Sequence, residues 1–511
     1  MERLLEELEL LVAEAVGGGG EKYRNRHHDR GKLLARERIE LLLDEDAPFL
    51  ELSTIAGAMT DFPVGGSVVV GIGPVSGVAC LIIANDPTVR GGAVNPISLA
   101  KGLRAYEIAA ANRLPLLYLV ESGGADLPTQ SEIFVPGGAS FRNLTRLSRA
   151  GIPSIALVFG NSTAGGAYLP AMCDYAVMIR GRSKVFLGGP PLVKMATGEE
   201  STDEELGGAE MHATVSGLAD YLAADEEDAI RLGREIVASL NWRRRGPGPA
   251  RPPVPPRLPA EELLDLVPVD PKQHLPVREV IARLLDESAF HEFKPAFGTN
   301  LVTGWGHLEG FPVGILGNDH GVLFSAESQK AAQFIQLANA RDTPLVFLQN
   351  VTGYMVGREY EQGGIIKHGA QMINAVSNST VPHLTVQIGG SFGAGNYGMC
   401  GKAYEPRFLF AWPNARTAVM GAEQLAGVLS IVARATAARA GTEYDEEQDA
   451  ARRAYIEAQI EHESAAVYMS GHLMDDGIID PRETRTVLAM CLWAIHSNEV
   501  TGTTGYGVFR P

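Results

Sequence analysis

Gly151–Tyr168 reads GIPSIALVFGNSTAGGAY, and Thr380–Tyr397 reads TVPHLTVQIGGSFGAGNY. Each is a run of strand-forming residues that closes on a cluster of small ones. Pro153 and Pro382, Ser162 and Ser391, Gly166 and Gly395, and Tyr168 and Tyr397 all stand 229 positions apart. The same spacing holds upstream, where KGLRAYEIAAANRLPLLYLVESGG begins at Lys101 and KAAQFIQLANARDTPLVFLQNVTG at Lys330, with Pro115 matched to Pro344. A constant offset over such a length is the signature of a repeated architecture.

Within each copy a helical segment ends near a proline, a short apolar run comes next (LLYLV or LVFLQ), and a second helix leads to the second run and its glycine cluster. Continuous apolar strands alternating with helices predict buried parallel pairing. The stretch VGGSVVVGIGPVSGVACLIIAND, before the first copy, predicts antiparallel strands as well. The fold class expected is a mixed α/β layered fold, present twice. Arg243–Pro259, RRRGPGPARPPVPPRLP, concentrates Pro, Gly and Arg and reads as a stiff solvated linker. It divides the chain into residues 1–255 and 256–511.

The 511 residues, 45% hydrophobic and 21% charged, suffice for a large core. A formal charge of -17 disfavours a phosphate-backbone partner, so no nucleic acid is expected. No apolar run reaches membrane-spanning length. The opening MERLLEELELLVAEAV is acidic and amphipathic, unlike a signal or transit peptide. Cys80, Cys173, Cys400 and Cys491 form no CxxC pair, so neither a metal site nor a disulfide framework is expected and a cytoplasmic setting fits.

A strand that enters TAGGAY presents backbone without side-chain bulk, so its N–H groups can approach a ligand and serve as an oxyanion hole. The alternative is that Gly165 and Gly166 merely permit close packing. Neither GxGxxG nor GxxxxGK[ST] occurs at a strand-to-helix turn, which leaves those phosphate-cradling routes unsupported.

Longer motifs carry a resemblance over nearly the whole chain: RGKLLARERIELLLD from Arg30, ESGGADLP from Glu121, FLGGPPLVKMATGEE from Phe186, GGAEMH from Gly207, NVTGYMVGREYEQGGIIKHGA from Asn350, WPNARTAVMGAEQ from Trp412 and DDGIIDPRETR from Asp475. With the two glycine clusters they resemble the carboxyltransferase (beta) subunit of biotin-dependent acyl-CoA carboxylases, particularly the methylcrotonyl-CoA branch. The resemblance implies two tandem crotonase-like domains. It implies transfer of a carboxyl group from carboxybiotin, borne on a separate biotinylated alpha subunit, to the enolate of an acyl-CoA. By motif match, Gly165 and Gly166 hold the thioester oxygen, and Ala394 and Gly395 hold the biotin oxygen, with Gly393 and Asn396 flanking the latter. The resemblance places Gly188, Gly189, Pro190 and Lys194 along the CoA path, while Gly-Gly-Pro-Pro by itself also reads as a turn joining two elements. Hexamers with sites shared between protomers are implied too.

Several residues admit two readings. Arg30, Lys32, Arg36 and Arg38 suit either CoA phosphates or a solvated helix face. His212 and His368 are acid–base candidates or structural histidines, and Met372, Met399 and Met420 read as core or pocket filler. Glu132–Ala150, EIFVPGGASFRNLTRLSRA, departs from the methylcrotonyl pattern beside the thioester hole, so the acyl group stays open. Three rival functions share parts of this pattern: a crotonase-type hydratase or isomerase, a decarboxylase subunit running the transfer in reverse, and a non-catalytic assembly subunit.

Overall fold

A computed structural model of the chain describes residues 1–270 and 272–510. Two sheets account for nearly all the strands. The first runs in the order Leu50–Glu51, Val68–Val75, Val78–Asn85, Leu116–Ser122, Ser154–Thr163, Tyr175–Ile179 and Tyr221–Ala223, with Lys184–Phe186 also paired to Ser154–Thr163. The second runs Phe408–Ala411, His383–Phe392, Leu345–Val351, Phe311–Asn318, Leu301–Leu308 and His291–Phe293, with Arg416–Ala418 also paired to His383–Phe392. In each, an antiparallel hairpin feeds a parallel set. The halves are two tandem crotonase-like α/β units related by the internal repeat.

The 229-residue register survives at atomic detail. Leu116–Ser122 matches Leu345–Val351, and Ser154–Thr163 matches His383–Phe392, at that offset. The parallel pairing slips between Val120 and Ser122 in one sheet and between Gln349 and Val351 in the other. Such an irregularity bends the strand end and re-aims the neighbouring chain. In both halves the glycine cluster lies at that end of the sheet.

Each long helix before the first parallel strand is anchored by a buried lysine. Lys101 Nζ donates to the carbonyls of Gly65 (3.2 Å) and Val68 (3.0 Å), and Lys330 Nζ to those of Gly298 (3.3 Å) and Leu301 (2.7 Å). Burial pulls the Lys101 ammonium down to about 8, and the nearby Glu51 charge offsets that desolvation only in part. The helix Pro96–Asn112 starts where Asn95 accepts from Ser98 N–H, and it stops at left-handed Arg113 before Pro115 opens the strand.

One apolar core threads both halves, joining Ile83, Leu116 and Met178 to Val346, Leu348 and Leu384. The C-terminal segment locks onto the first half through Asp476. Its carboxylate takes Arg104 Nε at 2.8 Å and Lys402 Nζ at 2.7 Å, and its backbone carbonyl accepts from Ser53 N–H at 2.7 Å. Burial opposes that charge, but Lys402 and Arg104 hold the carboxyl well below the usual range. Residues 241–259 contain no helix or strand and are largely exposed, although Gly246 is held against the His496 carbonyl. Among the described residues, no helix is long and apolar enough to cross a membrane.

Candidate active site

The first cluster forms where the strand Ser154–Thr163 ends. Ala164 turns the chain into the left-handed region (φ 54°), and Ala164–Ala167 make one tight turn before the short helix Tyr168–Met172. The leading N–H groups of such a turn have no acceptor within it. Ser162 Oγ donates to the Gly166 carbonyl at 2.9 Å, which fixes the peptide plane beside them. Gly165 is exposed and Gly166 half-buried. A Cβ at Gly165 would come no closer than 3.9 Å to Phe141, and one at Gly166 no closer than 3.8 Å to Ser162. Packing therefore does not require either glycine, and the space in front of these peptides is open to a ligand.

The second cluster repeats the turn with a different neighbourhood. Gly393, in register with Ala164, also has φ 54°, and Ala394 at the tip is exposed. Gly395 differs from Gly166, because a Cβ there would lie 2.5 Å from Val351 Cγ2 and 3.1 Å from Gly353 Cα. Here close packing does demand glycine, so the packing explanation holds for Gly395 although not for Gly165 or Gly166. Asn396 turns its side chain inward: Nδ2 donates to Ser391 Oγ at 2.8 Å, and that hydroxyl donates to Gln349 Oε1 at 2.8 Å. The Asn396 side-chain nitrogen is thereby committed inside the protein.

Beside this second turn lies a cavity of about 880 Å³. Phe392 and Met420 give it apolar walls, Thr352 and Gln424 polar ones, and Arg416 faces Glu461 across it. A volume of this size takes a small ring system with its polar edge satisfied. Thr352, Arg416, Met420 and Gln424 all lie within quoted family motifs, but only Met420 was read as pocket filler, since nothing in the local pattern brings the two motifs together.

The expected CoA path reaches the first turn through the sheet. Phe186 pairs with Thr163, and Gly188–Gly189 then lead into the helix Pro190–Thr197. Pro190 and Lys194 line a shallow cavity of about 600 Å³ with Glu200 and Glu205. Lys194 Nζ is paired to Glu200 at 2.6 Å, so in this state its charge is already answered.

Three members of the basic cluster are committed to carboxylates inside the protein. Arg38 is only 1% exposed and grips Glu226 through two 2.9 Å bonds, with Glu121 2.8 Å away. Lys32 pairs with Glu121, and Arg36 with Glu51 at 2.7 Å. Burial would raise the Glu121 carboxyl, but Arg38 and Lys32 outweigh it and hold the group below its ordinary value. Only Arg30 stays exposed, at the edge of a cavity with Arg26 and Arg90.

His212 is structural, with Nδ1 2.7 Å from Ser216 Oγ and Nε2 2.7 Å from the Val185 carbonyl. His368 lies half-buried on the helix Ile365–Asn378, with burial and then Lys367 lowering its pKa. Met372 and Met399 are core. Glu132–Ala150 is mostly helix (Gln130–Arg149), and it brings Phe141 edge-on to Tyr168 at 6.4 Å between ring centres. Phe141 was not singled out in the sequence, where only the segment's departure from the family pattern marked it.

Two sheets in 229-residue register, each with a parallel strand that runs into a tight turn of small residues, define a tandem crotonase-like fold. The carboxyl transferase domain model matches residues 26–505, and the chain belongs to that family. It is a carboxyltransferase of the biotin-dependent acyl-CoA carboxylase beta-subunit kind. A probable biotin-dependent acyl-coenzyme A carboxylase beta2 subunit of Mycobacterium tuberculosis is 65% identical over 506 residues, 99% of this chain and 96% of that one. The biotin-dependent 3-methylcrotonyl-coenzyme A carboxylase beta1 subunit of the same organism is 50% identical over 513 residues, covering 99% and 97%. The crystal structure of the geranyl-CoA carboxylase beta subunit of P. aeruginosa superposes with a TM-score of 0.86 at 45% identity, covering 99% of this chain and 94% of that one.

Proposed function

We propose that the first turn receives an acyl-CoA and the second receives carboxybiotin from a separate biotinylated alpha subunit. The observation that carries this is the pair of turns in register, each presenting backbone amides at a strand end. Carboxybiotin supplies the carboxyl group. The N–H groups of Gly165 and Gly166 hold the thioester oxygen as it gains charge on enolisation. Those of Ala394 and Gly395, with the Asn396 N–H adjacent and Gly393 setting the turn, hold the ureido oxygen of the carrier group. Preorganised donors at a developing oxyanion contribute about 3 kcal/mol each. The α-proton lost on enolisation would pass to the ureido nitrogen that the departing carboxyl group leaves free, so no side chain is named as the base. The cavity beside Phe392 suits the bicyclic ring in size and in its mix of apolar and polar walls.

In this reading residues 1–255 form the acyl half and 256–511 the carrier half, and Gly188, Gly189, Pro190 and Lys194 flank the CoA chain. Lys194 would then exchange Glu200 for a phosphate. Relatives named for 3-methylcrotonyl-CoA and geranyl-CoA make branched unsaturated acyl groups the first to test. The four cysteines are free thiols, consistent with a reducing cytoplasm. Self-association into a hexamer, with sites completed between protomers, belongs to the same proposal.

Labelled bicarbonate incorporation, with this chain mixed with carboxylated alpha subunits and a panel of acyl-CoAs, tests the assignment. Incorporation into one acyl class supports it and names the substrate. No incorporation, combined with biotin-dependent release of carbon dioxide from a carboxyacyl-CoA, would favour the decarboxylase instead.

A further inference from the structure

Three side chains that neither turn uses converge at the entry to the second half. His274 precedes the helix Val277–Leu284, while Asp319 and His320 come directly after the strand Phe311–Asn318. One ligating atom from each lies within 4.8 Å of the other two. His274 Nε2 is 3.8 Å and His320 Nδ1 3.7 Å from Asp319 Oδ2, and the imidazoles meet edge to face with centres 4.6 Å apart. We propose that His274, Asp319 and His320 form a binding site for one divalent transition metal of the zinc class, with its remaining position open to water.

Two imidazoles and one carboxylate suit zinc, cobalt or nickel better than magnesium or calcium, which favour all-oxygen sets. Metal–ligand bonds of about 2.0–2.1 Å put tetrahedral ligand atoms about 3.4 Å apart. The two carboxylate–imidazole separations therefore need to contract by only a few tenths of an ångström, and both histidines are exposed. The carboxylate is already oriented. Asp319 Oδ1 accepts from Val277 N–H at 3.2 Å, which leaves Oδ2 toward both rings. The turn itself is held by Asn300, whose carbonyl accepts from the N–H groups of Asp319 (2.9 Å) and His320 (3.2 Å).

Arg278 opposes the metal, with Nη1 3.4 Å from Asp319 Oδ2. Glu292 holds the same guanidinium through bonds of 2.7 and 3.1 Å, so Arg278 keeps a partner when a metal takes the Asp319 oxygen. Lys272 and Gln273, just before His274, line the cavity beside Phe392. A bound metal would thus tie one wall of that cavity to the Asp319–His320 turn.

The test is equilibrium dialysis of the untagged full-length chain against Zn²⁺, with Co²⁺ absorption as the spectroscopic probe. One metal per chain is expected, with the visible bands of a low-coordinate cobalt site. His274→Ala and His320→Ala, both at exposed positions, should melt like the parent without metal. Each should weaken binding by at least the roughly 10–100-fold that loss of a supporting partner costs. Arg278→Gln should bind more tightly than the parent. Absence of stoichiometric binding, or binding unchanged in both histidine variants, would overturn the site.

Discussion

Ala164 and Gly393 stand 229 residues apart and share a backbone φ of 54°. An L-residue in that region costs about 1–2 kcal/mol, so the alanine is strained where its counterpart is not. In both halves the residue sits directly between a buried strand and the turn proposed to bind an oxyanion. Strain held at such a position is the usual mark of a backbone aimed at a ligand.

Gly166→Val should leave the melting temperature close to the parent's, because the nearest neighbour to its Cβ is 3.8 Å away. Transfer should fall by about 10²–10³ in kcat as the side chain fills the ligand space. Gly395→Val should behave differently. Its Cβ meets Val351 at 2.5 Å, so overpacking of about 1–3 kcal/mol lowers the melting temperature as well. Thermal melts beside the transfer assay separate the two, and full activity in Gly166→Val would remove the thioester assignment.

Phe141→Ala should change acyl preference more than it changes turnover of the best substrate. The ring lies nearest the open space at Gly165 and braces Tyr168. A pocket change of this kind is worth about 1–3 kcal/mol between neighbouring acyl groups. The ratio of kcat/KM values across short, branched and long acyl-CoAs is the readout, and an unchanged ratio would place the acyl wall elsewhere.

Arg38→Met should destabilise the chain by about 3–5 kcal/mol, since it leaves Glu226 and Glu121 buried without their main partner. Any folded fraction should keep its KM for acyl-CoA. A raised KM at unchanged stability, measured by denaturant melts and initial rates, would restore Arg38 to the CoA site.

Asp475 predicts a slope of stability with pH. Burial raises its carboxyl from 3.8 to about 7, so the folded chain keeps a proton that the unfolded chain releases. Between those values stability falls as pH rises, and the unfavourable contribution is complete above about 7. Asp475→Asn can still accept from Gly477 N–H and should flatten that part of the curve. Equal slopes in both proteins, from urea melts between pH 4 and 8, would show that Asp475 is not the group responsible.

The repeat, its strands and both glycine turns were legible in the sequence because they are set by local chemistry. Continuous apolar runs become buried parallel strands, Pro115 and Pro344 start them, and small residues end them. The register Lys101 to Lys330 was legible too, though not that both ammoniums reach backbone carbonyls at the start of the hairpin. The family motifs lie in the same stretches.

Other features depend on which distant segments meet, and no spacing along the chain encodes that. Arg38 looks like a surface base until Glu226, 188 residues away, is folded onto it. Gly166 and Gly395 look alike until Val351 closes on only one of them. His274 and the Asp319–His320 pair fall in separate elements with no ligand-like interval, and only the packing of the helix against the strand end brings their atoms within reach. Backbone periodicity thus determined the two halves and where their turns fall, whereas burial and charge pairing across the sheets decided which residues at those turns stay open to chemistry.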